Sequence, residues 1–508
     1  MIAAIKNFDL EKAFAELSLN KILLLAFVTR IVAALFSTGY AMHDDHFNVI
    51  EVAQSWADGK NIGNWLPNAL HTDVVRDTAH SLFYPGIHYL LFCFFNFIGL
   101  HDPQIKMVFV RLMHAIYSLL VVYYAYKITE KLSNIEHAKL AALLLGLLWF
   151  MPNLSVRNLI EMVCIPPLLA AIYLLIKNEI FDWKKYLLSG FIIGFAFSIR
   201  FQTALFIGGV GLALLLQKQW RGFIFYSIGF LINVFIFQCI SDVCLWGYPL
   251  AEFWGYVQCN IHQQSDFVAG HWFTYSLLVT GLALPPFSIL LWLGYFKNVK
   301  NNLLIFLPSF LFLVFHSFFV NQQERFILPF VPLFIIGGLS GLNNWRDYLP
   351  VAEKQKRILR ATFIIVVTLN ILLLTGATVA STKTSRMNAL YFLYERKDTR
   401  AYIIESSYAD GWQFFPQFYL GKWCNEYFIP KGENAMNLKN KIVDVQLKPK
   451  YVIFLSDKDL AQRIENFEQA YPNIEPVATI QPSFVDRLFF KLNPVNKNEP
   501  CFIYKIND

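Results

Sequence analysis

Apolar residues in this chain come in long unbroken blocks rather than at amphipathic spacing, and the blocks recur roughly every 20 to 40 residues along most of its length. Blocks of about 17 to 25 such residues match the hydrocarbon thickness of a bilayer. The pattern predicts membrane spans near residues 21–39, 104–126, 138–151, 158–177, 186–200, 203–217, 222–240, 273–295, 302–320, 326–343 and 360–380, eleven in all. The stretch 82–100 is apolar enough to be another, but counting it puts a later basic loop on the wrong side. With Pro85-Gly86 near its start and many Tyr and Phe, it reads as a helix lying in the outer interface or re-entering, interrupted at the Pro-Gly pair. From about residue 381 the pattern changes. Short β-like runs at 402–405, 451–456, 477–480 and 501–506 alternate with helix-like stretches at 459–470 and 484–492. That predicts a small α/β domain of about 125 residues, long enough for its own core. The expected organisation is thus a polytopic α-helical membrane domain over 1–380, with a large first outer loop at about 40–103, followed by an α/β domain over 381–508.

Composition sharpens this reading. Of 508 residues, 56% are hydrophobic, 17% aromatic and only 16% charged, which excludes a soluble enzyme built on one or two cores. The net charge of +7 is dispersed along the chain, so it points to no nucleic-acid partner; what matters is the side of the membrane on which each charge falls. Lysine and arginine gather at Lys6, Lys12 and Lys21, at Lys127, Lys131 and Lys139, at Lys177, Lys184 and Lys185, at Lys218 and Arg221, at Lys297 and Lys300, and over 346–360. Those segments are expected in the cytoplasm. Residues 241–272 carry neither lysine nor arginine, and the loop 40–103 carries seven acidic residues against Lys60 and Arg76, so both are expected outside. The N-terminus then lies inside and the C-terminus outside. The first apolar segment shows no convincing small-residue cleavage site and reads as a retained anchor. The seven cysteines form no CxxC pair and no zinc spacing; an oxidising outer compartment leaves Cys244 with Cys259, or Cys424 with Cys501, open as pairs.

Within this frame one polar run stands apart: Met42-His43-Asp44-Asp45-His46-Phe47-Asn48, just past the first apolar block. Two adjacent carboxylates flanked by imidazoles where a span leaves the bilayer are costly unless they do chemistry. Other polar residues fall at outer span ends: Arg157, Glu161, Arg200, Gln202, Asp242 and Asn260, then His316, Glu324 and Arg325. The outer loop adds Glu51, Arg76 and His80 to the candidates. A polar cavity opening outward under the first loop would collect them. Each also has a bland reading. The arginines could snorkel to headgroups, the histidines (His46, His71, His80, His88) could be interfacial, and the Asp pair could cap a helix. No metal-ligand set is evident and no Gly-rich phosphate loop occurs in the C-terminal domain, so no cofactor is expected.

The order of these features resembles the GT-C membrane glycosyltransferases, which take sugars from polyprenyl phosphates. Within them it is most similar to the mannosyltransferases of GPI anchors and lipid-linked N-glycans and their bacterial relatives. Four places, in order between about residues 20 and 345, carry the resemblance. His43-Asp44-Asp45-His46-Phe47-Asn48, with Glu51 following, resembles a His-Pro-Asp-Glu-type motif, without the proline and with Asp45 in the Glu position. His80-Ser81-Leu82-Phe83-Tyr84-Pro85 resembles an Arg-Ser-aromatic-Pro segment, with His80 for arginine. Residues 242–260, containing Asp242, Trp246-Gly247 and Asn260, resemble an Asp-x-x-x-Tyr-Gly…Asn stretch. His316-Ser317 followed by Gln323-Glu324-Arg325-Phe326 and Pro329 resembles a His-Ser…His-Lys-Glu-x-Arg-Phe…Pro motif, with Gln322-Gln323 in place of a basic-acidic pair.

The resemblance implies a bundle of about eleven spans with its active site outside, a polyprenyl-phosphate sugar donor, and a glycan or glycolipid acceptor. It makes Asp44 the general base for the acceptor hydroxyl, with inversion at the sugar, and gives Asp45 or Glu51 a supporting role. Arg325, with Arg200 and His316, would hold the departing phosphate. His43, His46, Arg76, His80, Glu161, Gln202, Asp242, Asn260 and Glu324 complete the expected binding set. A bacterial inner membrane with a periplasmic site is expected, the endoplasmic reticulum with a lumenal site being the alternative. Two other classes stay open: an envelope glycan polymerase or ligase, and a lipid-carrier transporter or flippase. The early paired-carboxylate loop argues against the first, and the absence of internal repeats against the second.

Overall fold

The computed structural model describes residues 14–66, 80–176, 180–262, 270–297, 299, 302–342, 353–409, 413–442, 444, 447–492 and 498–507. Among the described residues four helices are long and apolar enough to cross a membrane: Leu19–Phe36, Pro103–Leu132, Trp220–Trp246 and Ala361–Thr378. Shorter apolar helices accompany them at Ile160–Leu175, Phe201–Leu216, Phe287–Lys297, Leu303–Phe318 and Phe330–Gly341. The protein is a multi-pass membrane protein. It divides into two compact units, the first of Met1–Ala34, Gly63–Tyr84 and Arg111–Val379, the second of Leu35–Ile62, Pro85–Val110 and Ala380–Asp508.

In the first unit, helices approach closely where side chains are small. Leu19–Phe36 buries Ile22, Ala26, Ala33 and Ala34, while Leu24, Leu25 and Val28 stay exposed on the face a bilayer would cover. Helices Trp183–Ile199 and Trp220–Val234 cross at two glycines. A Cβ on Gly190 would lie 1.8 Å from Tyr226 O, and one on Gly229 would lie 2.0 Å from Leu187 O. Without a hydrophobic drive inside lipid, such contact supplies the packing attraction that water-driven burial supplies elsewhere. Arg30, wholly buried in the first span, is tolerated because neutral acceptors surround it. Its guanidinium donates to Gly146 O (2.9 Å), Leu145 O (3.1 Å) and Ser118 Oγ (2.9 Å), two of them carbonyls from the last turn of helix Ile135–Leu147. A cation there satisfies helix-end carbonyls and complements the dipole.

Several expected spans are reshaped. The stretch 273–295 is two helices, Thr274–Leu282 and Phe287–Lys297, separated at Pro285-Pro286, whose missing N–H groups end the ladder. The stretch 138–151 stops being helical at Leu147, Leu148 being extended. Asn370 holds the break from the far end of the chain, accepting Trp149 N–H and donating to Leu147 O, both at 2.9 Å. The helix at 82–100 is present as Phe83–Phe97, but Pro85-Gly86 do not interrupt it. They lie in its first turn, where a backbone N–H has no intrahelical partner to lose.

The second unit holds a five-stranded mixed sheet: β1 Ala401–Glu405, β2 Asn425–Ile429, β3 Tyr451–Leu455, β4 Ile474–Ile480 and β5 Cys501–Ile506, in the order β2-β1-β3-β5-β4. β1 runs parallel to β2 and β3, while β5 is antiparallel to β3 and β4. Every residue of β1 and β3 is buried, which explains their continuous apolar runs. Strand β2 and helices Thr384–Arg396 and Ala435–Lys441 were not expected from the sequence. All seven cysteines are free, so neither candidate pair is joined.

Candidate active site

The Asp pair belongs to the second unit. Residues 43–57 form one helical run: a first turn His43–Asp45, a π-helical turn His46–Glu51, then Val52–Ala57. π-turns are rare and concentrate at functional sites, because the extra residue re-aims the side chains before it. The two aspartates are not equivalent here. Asp44 is half-buried at the start of the run, whereas Asp45 is 5% exposed. His46 is fully buried between two tyrosine rings, stacked on Tyr40 at 4.9 Å and on Tyr419 at 5.4 Å between centroids. Neither of its ring nitrogens has a hydrogen-bond partner, and burial lowers its pKa to about 3. Glu51 accepts the Phe418 N–H at 3.0 Å, but burial dominates and raises its carboxyl to about 8. Although His46 Nε2 and Glu51 Oε1 are 3.8 Å apart, both groups are therefore neutral at pH 7 and form no ion pair. His43 stacks on Phe47 at 4.2 Å and meets Phe414 edge-on at 4.8 Å; desolvation is the main reason its pKa is lowered. The C-terminal sheet domain thus folds with the loop that follows the first span, its segment 413–419 packed over the His-Asp turn.

A second polar cluster lies in the first unit. Arg200 Nη1 donates to Glu161 Oε1, and Arg325 Nε lies 3.5 Å from the same oxygen. Glu161 is fully buried, Arg200 is 4% exposed and Arg325 6%. Both guanidinium groups stand over the Phe326 ring, at 4.8 and 5.4 Å. Glu161 Oε1 is thus shared between two arginines, Arg325 Nε also donates to Gln323 Oε1 at 2.9 Å, and Arg200 Nε and Nη2 are buried without an acceptor. His316 Nδ1 donates to Phe312 O at 2.9 Å, which leaves Nε2 buried and unpartnered. Gln202 bonds Tyr256, and Tyr275 donates to Gln323 O at 2.9 Å, closing the cluster. Arg200 Nε and Nη2, buried donors without an acceptor, are the groups here that suit an anion. Three expected residues, Glu161, Arg200 and Arg325, are in direct contact. His316 joins them electrostatically, and Glu324 is exposed at the edge.

Asp242 sits elsewhere in that unit. It is wholly buried against Glu252, and Gln238 Nε2 donates to both, at 2.9 and 2.8 Å. Glu252 also accepts Leu82 N–H (3.0 Å) and Trp246 Nε1–H (3.2 Å), so this pair anchors the end of the His80-Ser81-Leu82 segment. Asn260 donates to Tyr256 O at 2.8 Å, and His80 is exposed, 6.0 Å from the Trp65 ring. Arg76 lies outside the described residues. Sequence reasoning missed Glu252, Tyr256 and Tyr275. An acidic residue in the basic-free segment 241–272 was a usable signal for the first; the tyrosines carried none.

Comparison with known proteins follows this geometry. A search of curated sequences finds the mannosyltransferase APTG1 of Arabidopsis thaliana, 27% identical over 331 residues, or 62% of this chain; the match covers 57% of that relative's length. Among solved structures, ArnT from Cupriavidus metallidurans, bound to undecaprenyl phosphate, superposes with a TM-score of 0.61 at 12% identity, covering 96% of this chain and 97% of ArnT. The apo oligosaccharyltransferase of Archaeoglobus fulgidus gives 0.51 at 10% identity, covering 88% and 70%. At such identities the likeness concerns the GT-C fold. A family model matches residues 21–415, spanning both the His43–Glu51 run and the Glu161–Arg200–Arg325 cluster, and the chain belongs to the Alg9-like mannosyltransferase family of GT-C glycosyltransferases.

Proposed function

We propose that the protein is an inverting glycosyltransferase that moves a hexose of the mannose type from a polyprenyl phosphate to a hydroxyl of a lipid-linked or other extracytoplasmic glycan. Asp44 accepts the proton of the attacking hydroxyl, and the sugar C1–O bond to phosphate breaks as the new glycosidic bond forms on the opposite face. The leaving group departs as a phosphate anion and needs no general acid, but it needs cations. Arg200 and Arg325 supply them; His316, whose Nδ1–H is given to Phe312 O, lies beside Arg200 and would donate from Nε2 only when protonated. The observation that carries the reading is the difference in burial within the Asp pair. Asp44 retains access to solvent on the first turn of a π-bulged helix, whereas buried Asp45 shapes that turn. The likeness in fold to ArnT, solved with undecaprenyl phosphate, supports the donor class. The positive-inside pattern supports a catalytic face turned away from the cytoplasm, in a bacterial periplasm on this reading. The Arabidopsis relative favours the lumen of the endoplasmic reticulum as a second reading.

The test is transfer from a panel of synthetic polyprenyl-phosphate sugars by the purified full-length protein, beside Asp44→Asn and Asp45→Asn. A base contributes about 10²- to 10⁴-fold, so Asp44→Asn is expected to lose that much turnover while still binding donor. Turnover near wild type in Asp44→Asn would refute the mechanism.

A further inference from the structure

Helix Phe484–Leu492 of the C-terminal domain has its polarity reversed. Its single buried residue is the acid Asp486, whereas Phe484, Leu488 and Leu492, each one turn after the last on the same face, are 72%, 43% and 72% exposed. Phe489 is exposed beside them. A helix that packs on a sheet in water turns its apolar face to the core. Helix Leu460–Glu468 of the same domain does so: Phe467 enters the core against Phe454, while Gln462, Glu465 and Glu468 are exposed.

Asp486 holds the helix this way round. Its carboxylate accepts the N–H groups of Lys383 (2.7 Å), Thr384 (3.1 Å) and Ser483 (3.3 Å) and the Thr384 hydroxyl (3.0 Å), and Ser483 Oγ accepts the Asp486 N–H at 3.0 Å. A buried carboxylate with four donors fixes one face of the helix inward, and helical geometry turns the Phe484-Leu488-Leu492 stripe outward.

That anchor stands at the exit of the first span. Ser483 Oγ donates to Ser381 O at 2.7 Å, and Ser381 Oγ donates to Phe36 O at 3.1 Å, Phe36 being the last residue of helix Leu19–Phe36. Ser381 itself follows the last span, Ala361–Thr378, by three residues. Strand-like pairing holds the two exits together: Thr382 N–H donates to Thr38 O at 3.2 Å, Thr38 N–H to Ser381 Oγ at 3.0 Å, and Thr382 Oγ1 to Tyr40 O at 2.8 Å. Gly39 faces Thr382 in a bridge so close that a Cβ there would lie 1.7 Å from Thr382 O. The stripe therefore starts two hydrogen bonds from the exposed Leu35 and Phe36, where the chain passes from hydrocarbon to headgroups. Arg487 and Lys491, both exposed and one turn apart, border it on one side, and the helix has no acid but the buried Asp486. An apolar arc edged by basic residues suits a phospholipid surface, with the stems among acyl chains and the charges at phosphate. The basic edge and the nearness to a span exit single out lipid over a second copy of the chain or another protein.

We propose that helix Phe484–Leu492 docks in the bilayer leaflet at which the first span ends, Phe484, Leu488 and Leu492 entering the acyl region and Arg487 and Lys491 meeting lipid phosphate. The C-terminal domain then has a lipid contact of its own. Neither the sugar donor nor the base enters the inference, so its failure leaves the proposed function standing. The test places photoreactive p-benzoylphenylalanine at Phe484 or at Leu488 of the full-length protein in nanodiscs of phosphatidylcholine and phosphatidylglycerol, with Gln462 as the control position. After irradiation, intact mass is expected to rise by one phospholipid at 484 and at 488 and to stay unchanged at 462. Absence of a lipid adduct at both 484 and 488 in folded protein overturns the inference. So does crosslinking at these positions to a second copy of the chain in place of lipid. If neither substituted protein keeps the wild-type thermal midpoint, Phe489 carries the probe and is judged by the same outcomes.

Discussion

Glu51 offers the sharpest test of how the His-Asp turn is built. Its carboxyl is buried, accepts backbone N–H groups of Phe418 and Gln417, and sits near a neutral imidazole rather than a cation. Burial raises its pKa from 4.5 to about 8, so the folded protein holds this proton more tightly than the unfolded chain does. The sign follows from linkage. Between the two values the native state carries the extra proton, so the stabilisation is complete below about pH 4.5 and is lost as pH rises through about 8. At about 1.4 kcal/mol for each pH unit, the whole window is on the order of 5 kcal/mol. The interval from pH 6.5 to 8 is the one to measure. His46, with its pKa lowered from 6.5 to about 3, acts in the opposite direction and only below pH 6.5, where stability falls as the unfolded imidazole gains its proton. Glu426, raised to about 7, acts with the same sign as Glu51 and cancels when two variants are compared. Glu51→Gln keeps an oxygen for the Phe418 N–H and removes the titration. Wild type should lose about 1.5 to 2 kcal/mol relative to Glu51→Gln between pH 6.5 and 8. The readout is the thermal midpoint of the full-length protein in detergent, followed by tryptophan emission at several pH values. Parallel loss of midpoint in both proteins over that interval would show that Glu51 is ionised in the fold, and the argument for a neutral pair would fail.

Three further outcomes follow from the same geometry. Glu161→Leu should destabilise the first unit by about 3 to 5 kcal/mol, because it leaves the buried Arg200 guanidinium without its acceptor; an unchanged thermal midpoint would refute this. Asn370→Leu removes both partners of the helix break at Leu147 and Trp149 and should cost about 2 to 5 kcal/mol. The check is limited proteolysis at 148–150, and resistance equal to wild type counts against it. Gly39→Ala should prevent the second unit from folding, since the Cβ meets Thr382 O at 1.7 Å at φ 79°; recovery of monodisperse protein with an unchanged midpoint would show that the 38–40 and 381–382 pairing is not needed.

What the sequence made legible depended on how local the cause was. The spans at 21–39, 104–126 and 222–240 were readable because each buries its backbone within one helix and needs only apolar side chains around it. The break at Leu148 was not, because its partner, Asn370, lies more than 200 residues away and looks in sequence like a polar blemish in an apolar run. Strand β2, Asn425–Ile429, hid for a related reason: it pairs on one side only, with β1, and its exposed first residues show no run of apolar positions. The Pro285-Pro286 break was visible in the sequence but outweighed by the apolar residues on both sides of it.

The site divides along the same line. His43 to Asn48 announced itself by residue type, since carboxylates and imidazoles at a span exit are expensive wherever they point. Their roles could not be read that way. Burial of Asp45 but not Asp44, the enclosure of His46 by Tyr40 and Tyr419, and the neutral Glu51 under Phe418 all depend on a C-terminal segment folding against a loop some 370 residues earlier. Asp242 illustrates the converse. By type and position it is expected among the binding residues; in the structure its oxygens are engaged by Gln238 and by the Glu252 backbone N–H, and Glu252 fixes the backbone of Leu82. A buried carboxylate with its acceptors filled positions the chain. In the Arg200 cluster, by contrast, Arg200 Nε and Nη2 are still unfilled, and this difference in hydrogen-bond balance is why the proposed function assigns the anion there and not to Asp242.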